Sequence, residues 1–246
     1  MKRTFTRIIG LMSLKKSSGY QKTWKQFSKK KAHDCLVFFV DEAGRGPLAG
    51  PGAGWVVSFS WKGGSSLFWD FKLFCGAERE NLYEFLVSEK KLFFASGRAS
   101  ADFIDRYGIV KALQKSIIDA CKKIILKMEN SVSKKNMKLS EIKFWMKENN
   151  VLLVIDGNSS FWLDKKLDIE VAKIIDGDAL VAEIAMASIV AKVERDDFMK
   201  KLAKRYPGYG FEIHKGYGTV RHRVLIRECG LSKIHRKTYC KKILES

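Results

Sequence analysis

Apolar positions along the chain recur first with the spacing of strands and later with that of helices. Leu36–Val40 and Ala53–Phe59 are short apolar runs separated by Gly50-Pro51-Gly52, and Leu92–Ala95 is a third. Runs of that length bounded by turn residues predict strands. Val110, Leu113, Ile117, Cys121, Ile124 and Met128 then follow helical spacing, and Ile142 to Met146 predicts a short helix. Val151–Ile155 predicts a strand, Val171–Ile175 a weaker one. Leu180, Ile184, Ala187 and Ala191 open a helix that reaches about Arg205 and stops at Pro207-Gly208. Strands first, then alternating helix and strand, predict an α/β or α+β domain built on a mixed sheet. Lys134 to Lys138 is a basic loop, and there are no internal repeats.

Two of the stronger predicted strands run into carboxylates. Leu36–Val40 is followed by Asp41-Glu42-Ala43-Gly44-Arg45-Gly46-Pro47-Leu48-Ala49-Gly50-Pro51, and Val151–Ile155 by Asp156-Gly157-Asn158. Neighbouring side chains on a strand face opposite ways, so Asp41 and Glu42 converge on one site only if the strand ends there. Carboxylates at a strand end, beside glycines that admit a ligand to the backbone, suit a hard metal ion and a phosphate substrate. A solvated Asp-Glu pair and an ordinary Asp-Gly turn are the plain alternatives. If the strand of Asp156 lies parallel to that of Asp41, both reach the same sheet edge, where ligands gather in such sheets. A third acidic element, Asp176-Gly177-Asp178, precedes the long helix, and either aspartate could cap it.

Length and composition narrow the class. A chain of 246 residues with 46% hydrophobic content suits one domain with a sizeable core, and no apolar stretch approaches a membrane span. Five scattered cysteines, at 35, 75, 121, 229 and 240, favour a reducing compartment and argue against zinc. His33, His214, His222 and His235 are too dispersed in sequence for a metal motif.

Charge is unevenly placed. Of the net +19, residues 1–33 hold ten basic and no acidic side chains, residues 200–246 thirteen and three, and the middle is near neutral. Basic ends on a neutral core predict a polyanionic partner, most simply nucleic acid. Residues 1–33 are expected to be a basic extension, either a nucleic-acid-binding arm or an organelle transit segment, with residues 34–246 forming the folded domain.

The P-loop is excluded, since no Gly-Lys-Ser/Thr precedes a helix. The Asp41–Pro51 run resembles the signature of ribonuclease HII, whose first strand ends in Asp-Glu-Ala-Gly-Arg-Gly-Pro. Asp156-Gly157-Asn158 resembles the third acidic position of that family. Ile184 to Asp196 resembles its helix after the fourth acid, which places that acid at Asp178. The glycine-rich, aromatic loop Tyr206 to Phe211 and His214 to Thr219 resembles the segment whose tyrosine stacks at the RNA–DNA junction, which carries over to Tyr217. Thr219 is expected to cap the next helix. Ile234 to Tyr239 resembles the family's His-Arg-x-Ser-Phe ending imperfectly.

The resemblance spans about residues 36–239. It implies a ribonuclease H-like mixed sheet flanked by helices, with a helical C-terminal region. It also implies two divalent cations, Mg2+ or Mn2+, held by Asp41, Glu42, Asp156 and Asp178. Gly44, Arg45 and Gly46 would read the 2′-hydroxyl, which separates RNA from DNA. The implied substrates are RNA–DNA hybrids and duplex DNA carrying ribonucleotides, cut 5′ of the ribonucleotide. A cytoplasmic monomer is the expectation.

The family's Asp-Ser-Lys-Lys-Leu segment is altered here, its nearest match being Asp70-Phe71-Lys72-Leu73. Three readings stand at this point: ribonuclease HII; another nuclease of the fold, such as ribonuclease HIII or a junction resolvase; and a non-catalytic nucleic-acid-binding protein.

Overall fold

The structure, a computed structural model, describes residues 35–59, 76–88, 92–130 and 137–245. The basic extension, the Asp70–Leu73 segment and most of the Lys134–Lys138 loop lie outside them. Five strands form one mixed sheet: β1 (Leu36–Ala43), β2 (Gly52–Phe59), β3 (Leu92–Ala99), β4 (Val151–Asp156) and β5 (Val171–Ile174), in the order β3-β2-β1-β4-β5. β1, β2 and β3 pair antiparallel, while β4 lies parallel to β1 and to β5. The helices are α1 (Gly76–Ser88), α2 (Ala101–Met128), α3 (Leu139–Glu148), α4 (Leu163–Leu167), α5 (Gly177–Leu180), α6 (Ala182–Arg205), α7 (Phe211–His214), α8 (Val220–Cys229) and α9 (Lys237–Leu244).

Strand alternation sorts the core onto two faces. Phe38 and Val40 of β1, with Leu153 and Ile155 of β4, pack against Leu113, Ile117 and Ile124 of α2. Phe39, Leu152 and Val154 face the other way, against Ile184 of α6. The central strands are therefore apolar on both faces, which is why they read as continuous runs rather than alternating ones. Helix α2 lies close to the sheet at Gly97, where an added Cβ would come within 1.9 Å of the Ser116 carbonyl oxygen. Only glycine admits that approach.

Several boundaries differ from the sequence expectation. Helix α2 begins nine residues before Val110, with Ser100 accepting from the Phe103 amide, and is kinked at Gly108 (φ 80°). The kink resets the phase of the apolar stripe and hides the first two turns. The long helix begins at Ala182, because Val181 is extended (φ −128°) and separates it from the short α5. Neither Asp176 nor Asp178 caps α6: Asp176 is left-handed (φ 52°) ahead of α5, and Asp178 lies in the first turn of α5. Thr219 does cap α8, accepting from the His222 amide at 3.3 Å.

Candidate active site

The strand of Asp41 does not end at the carboxylates, contrary to the sequence expectation. β1 continues to Ala43, with Asp41, Glu42 and Ala43 paired to Trp55, Gly54 and Ala53 of β2. What ends is the neighbour. Parallel pairing with β4 stops at Val40↔Ile155, so Asp41 and the last residue of β4, Asp156, stand side by side. Both follow the alternation of Phe39 and Val154, which puts them on the α6 face. Glu42 follows next on β1, one residue beyond the level of Asp156 where β4 ends.

Asp41 is buried, 8% exposed. Its Oδ1 accepts the Glu42 amide at 2.8 Å, and its carboxyl is hydrogen-bonded to the Ser188 side chain on α6. Burial, then the charges of Glu42 and Asp156, push its pKa up to about 8. Burial also raises Glu42, against which the Arg45 guanidinium acts, 3.2 Å from Oε1. Glu42 Oε2 is buried without a hydrogen-bond partner. Asp156 accepts the Gly177 amide at 2.7 Å and is raised by burial and then by Asp178. Asp41, Glu42, Asp156 and Asp178 are thus close enough to feel one another as a chain of like charges, a crowd that a cation would relieve.

The donor set is all oxygen, which suits magnesium or manganese. Among the described residues no three side chains already form a metal cage. Magnesium keeps several waters and takes one or two carboxylates per ion, so a cage of protein ligands alone is not required.

The remaining sequence-derived residues gather at the same edge. Gly44 takes φ 87°, and a Cβ there would lie 2.9 Å from both Arg195 Nε and the Pro51 carbonyl oxygen. Gly46 faces open space. Tyr217 is 40% exposed, its ring covered by the cations of Arg195 (5.1 Å) and Lys192 (5.7 Å) from α6. Arg195 is buried, donates to the Lys215 carbonyl at 2.8 Å, and so lies between Gly44 and the Tyr217 loop. The turn after β1 is clamped from the C-terminal region: the Leu48 amide donates to the Gly216 carbonyl (2.8 Å) and the Gly50 amide to that of Ile234 (2.9 Å).

Three supporting features escape a reading of the sequence. Ser188 stands out there only as part of a helix that resembles the family's. Arg195 and Arg236 likewise lie in segments that resemble the family's, but nothing in the sequence announces that they are buried. The histidines, dispersed in sequence, converge: His214 stacks on His222 with centroids 4.1 Å apart, and His222 Nε2 lies 3.1 Å from His235 Nε2. They do not form a metal site, because their nitrogens are engaged. His235 Nδ1 accepts the Ser232 amide (2.8 Å), which leaves its proton on Nε2 to donate to His222, whose Nδ1 donates to the Tyr217 carbonyl (2.8 Å). This chain of neutral rings holds Tyr217 from behind.

The chain as a whole is similar to proteins already known. The family model for Ribonuclease HII matches residues 39–242. A ribonuclease HII of Delftia acidovorans is 36% identical over 204 residues, covering 83% of this chain and 75% of that protein. One of Fusobacterium nucleatum is 36% identical over 214 residues, covering 85% and 88%. Among solved structures, the ribonuclease H2 of Pyrococcus horikoshii shares the fold with a TM-score of 0.58 at 22% identity, covering 85% of this chain and 97% of that one. The ribonuclease HII bound to PCNA from Archaeoglobus fulgidus gives 0.58 at 20%, covering 82% and 93%. A ribonuclease HIII crystallised with Mn2+ is more distant, with a TM-score of 0.52 at 13% identity, covering 87% of this chain and 71% of that one. A ribonuclease H-like sheet, acidic at one edge and matched over four fifths of its length by that model, places the chain in the ribonuclease HII family of endoribonucleases.

Proposed function

We propose that this endoribonuclease cuts the RNA strand of RNA–DNA hybrids and cuts duplex DNA on the 5′ side of an embedded ribonucleotide. Water adds to phosphorus and the bond to the 3′ oxygen breaks, leaving 3′-hydroxyl and 5′-phosphate ends. The observation that carries this reading is the adjacency of Asp41 and Asp156 at the end of the parallel pair, beside the Gly44–Gly46 turn. Asp41, Glu42, Asp156 and Asp178 would hold two divalent ions, magnesium or manganese. Bound there, such ions stabilise the attacking and leaving oxygens of an in-line displacement at phosphorus. The unpartnered Glu42 Oε2 and the crowding of like charge support that assignment.

The chain's own groups select and place the substrate. The Gly44-Arg45-Gly46 backbone, exposed at Arg45 and Gly46, reads the 2′-hydroxyl, and Tyr217 offers its half-exposed ring to the sugar at the junction. The test uses three substrates with magnesium: a DNA duplex with one ribonucleotide, the same duplex in all-DNA form, and a four-way junction. Cutting confined to the first, and abolished by EDTA, is expected. Equal cutting of all-DNA refutes ribose selection, cutting of the junction favours a resolvase, and inertness toward all three favours a binding protein.

A further inference from the structure

The side chain of Arg236 is fully buried, yet no carboxylate pairs with it among its hydrogen bonds. Its guanidinium instead donates to three backbone carbonyls of the turn after β1. Nη2 reaches Gly44 at 2.6 Å, Nη1 reaches Arg45 at 2.9 Å, and Nε reaches Gly50 at 3.1 Å. The Tyr239 ring covers the cation at 5.1 Å. Burying a charge costs free energy even when its hydrogen bonds are satisfied. Few side chains could make this arrangement, since it uses the planar, divergent donors of a guanidinium.

The consequence falls on the opposite side of the same peptide planes. All described peptide bonds are trans, and in a trans peptide the carbonyl and the amide N–H point opposite ways. The Gly44 carbonyl shares its plane with the Arg45 amide, and the Arg45 carbonyl shares its plane with the Gly46 amide. With both carbonyls held inward by one buried group, both amides point outward. Arg45 and Gly46 are exposed, nothing lies within 4 Å of a Cβ placed at Gly46, and no described residue accepts from either amide.

We propose that Arg236 is a positioning residue for ribose selection: it fixes the two peptide planes of Gly44-Arg45-Gly46 so that the amides of Arg45 and Gly46 face the 2′-hydroxyl of the substrate. This rests on the reading that the tripeptide selects the ribose. A lysine at 236 keeps the buried charge, but its compact ammonium lacks the rigid, divergent fork that spans the carbonyls of Gly44, Arg45 and Gly50, so the two peptide planes are no longer fixed together.

The test is binding, measured in EDTA so that no cleavage occurs. Full-length wild type and Arg236→Lys are titrated with a DNA duplex carrying one ribonucleotide and with the same duplex in all-DNA form. The wild type prefers the ribonucleotide. Arg236→Lys is expected to lose about 10-fold of that preference, the scale of one to two neutral hydrogen bonds, with all-DNA affinity within about twofold of wild type. A lysine variant with undiminished preference overturns the inference, and so does equal loss on both duplexes, which marks a structural role only. A wild type without preference instead refutes the ribose-reading of the tripeptide. If Arg236→Lys does not fold, amide exchange in the wild type decides: the ribonucleotide duplex must protect the Arg45 and Gly46 amides more than all-DNA does, and equal protection overturns the inference.

Discussion

Replacing Asp41 with asparagine should stabilise the metal-free protein while abolishing its activity. In the fold, the Asp41 carboxyl is buried beside Glu42 and Asp156, and its pKa is pushed from 3.8 up to about 8. An acid with a raised folded-state pKa costs no stability below its unfolded pKa, and the cost grows as pH rises from about 4 to about 8. At pH 7.5 that window spans nearly four pH units at about 1.36 kcal/mol each, so the cost approaches about 5 kcal/mol. An amide in the same place carries no charge but must itself be buried, which gives back about 1–3 kcal/mol where its hydrogen bonds are poorer. The expected net gain for Asp41→Asn is about 2–4 kcal/mol.

Urea unfolding in EDTA at pH 7.5 and 5.0 measures it. The wild type should gain stability from this group as pH falls, by about 1.4 kcal/mol per unit, and the variant should lack that slope. Added Mn2+ should raise the melting temperature of the wild type more than that of the variant. An Asn variant no more stable than wild type in EDTA, with the same pH dependence, would refute the argument that burial, with the like charges of Glu42 and Asp156, penalises the ionised Asp41.

Four further outcomes are expected. Tyr217→Ala should weaken cutting at a single embedded ribonucleotide about 10-fold to 100-fold, the scale of removing one stacking platform, and weaken cutting within a long hybrid less; unaltered kinetics on both substrates would remove Tyr217 from the site. Asp178→Asn should reduce single-turnover cleavage about 10³-fold or more, and Asp176→Asn should leave most of it, since Asp178 and not Asp176 is among the charges that raise Asp156; a dead Asp176→Asn enzyme reverses the assignment. His235 is held neutral, its pKa lowered by burial and by His222 to about 4, so its contribution is present above pH 6.5 and lost as pH falls toward 4. His235→Gln should therefore lose about 2 kcal/mol less stability than wild type between pH 7.5 and 5.0, and identical losses in a urea comparison would show that the ring is not held neutral. Deleting residues 1–33 should leave a folded enzyme whose binding is weaker and less salt-dependent, the log–log slope flattening by about 0.9 for each phosphate the arm neutralises; an unchanged slope would favour a targeting role.

The sequence by itself determined which elements carry the acids. Continuous apolar runs mark strands buried on both faces, and the carboxylates that interrupt them at Asp41 and Asp156 are conspicuous because nothing apolar follows at once. Local signals also placed Thr219 as a helix cap, since capping is a contact between residues three apart. Capping by Asp176 or Asp178 failed for a reason equally physical but not local: the backbone needs a left-handed residue and a short separate helix to swing from β5 onto α6.

Only the tertiary structure decided how the site closes. Parallel pairing of β1 with β4 sets Asp41 beside Asp156, and it is β4, not β1, that ends at the carboxylates. Arg236 reaches the carbonyls of Gly44 and Arg45 across more than 190 residues of chain, and His222 and His235 meet behind Tyr217. A buried cation or a neutral histidine pair has no periodicity to betray it. Its free energy depends on partners that folding alone brings within hydrogen-bond reach, so it is written in the pairing of distant segments rather than in any one of them.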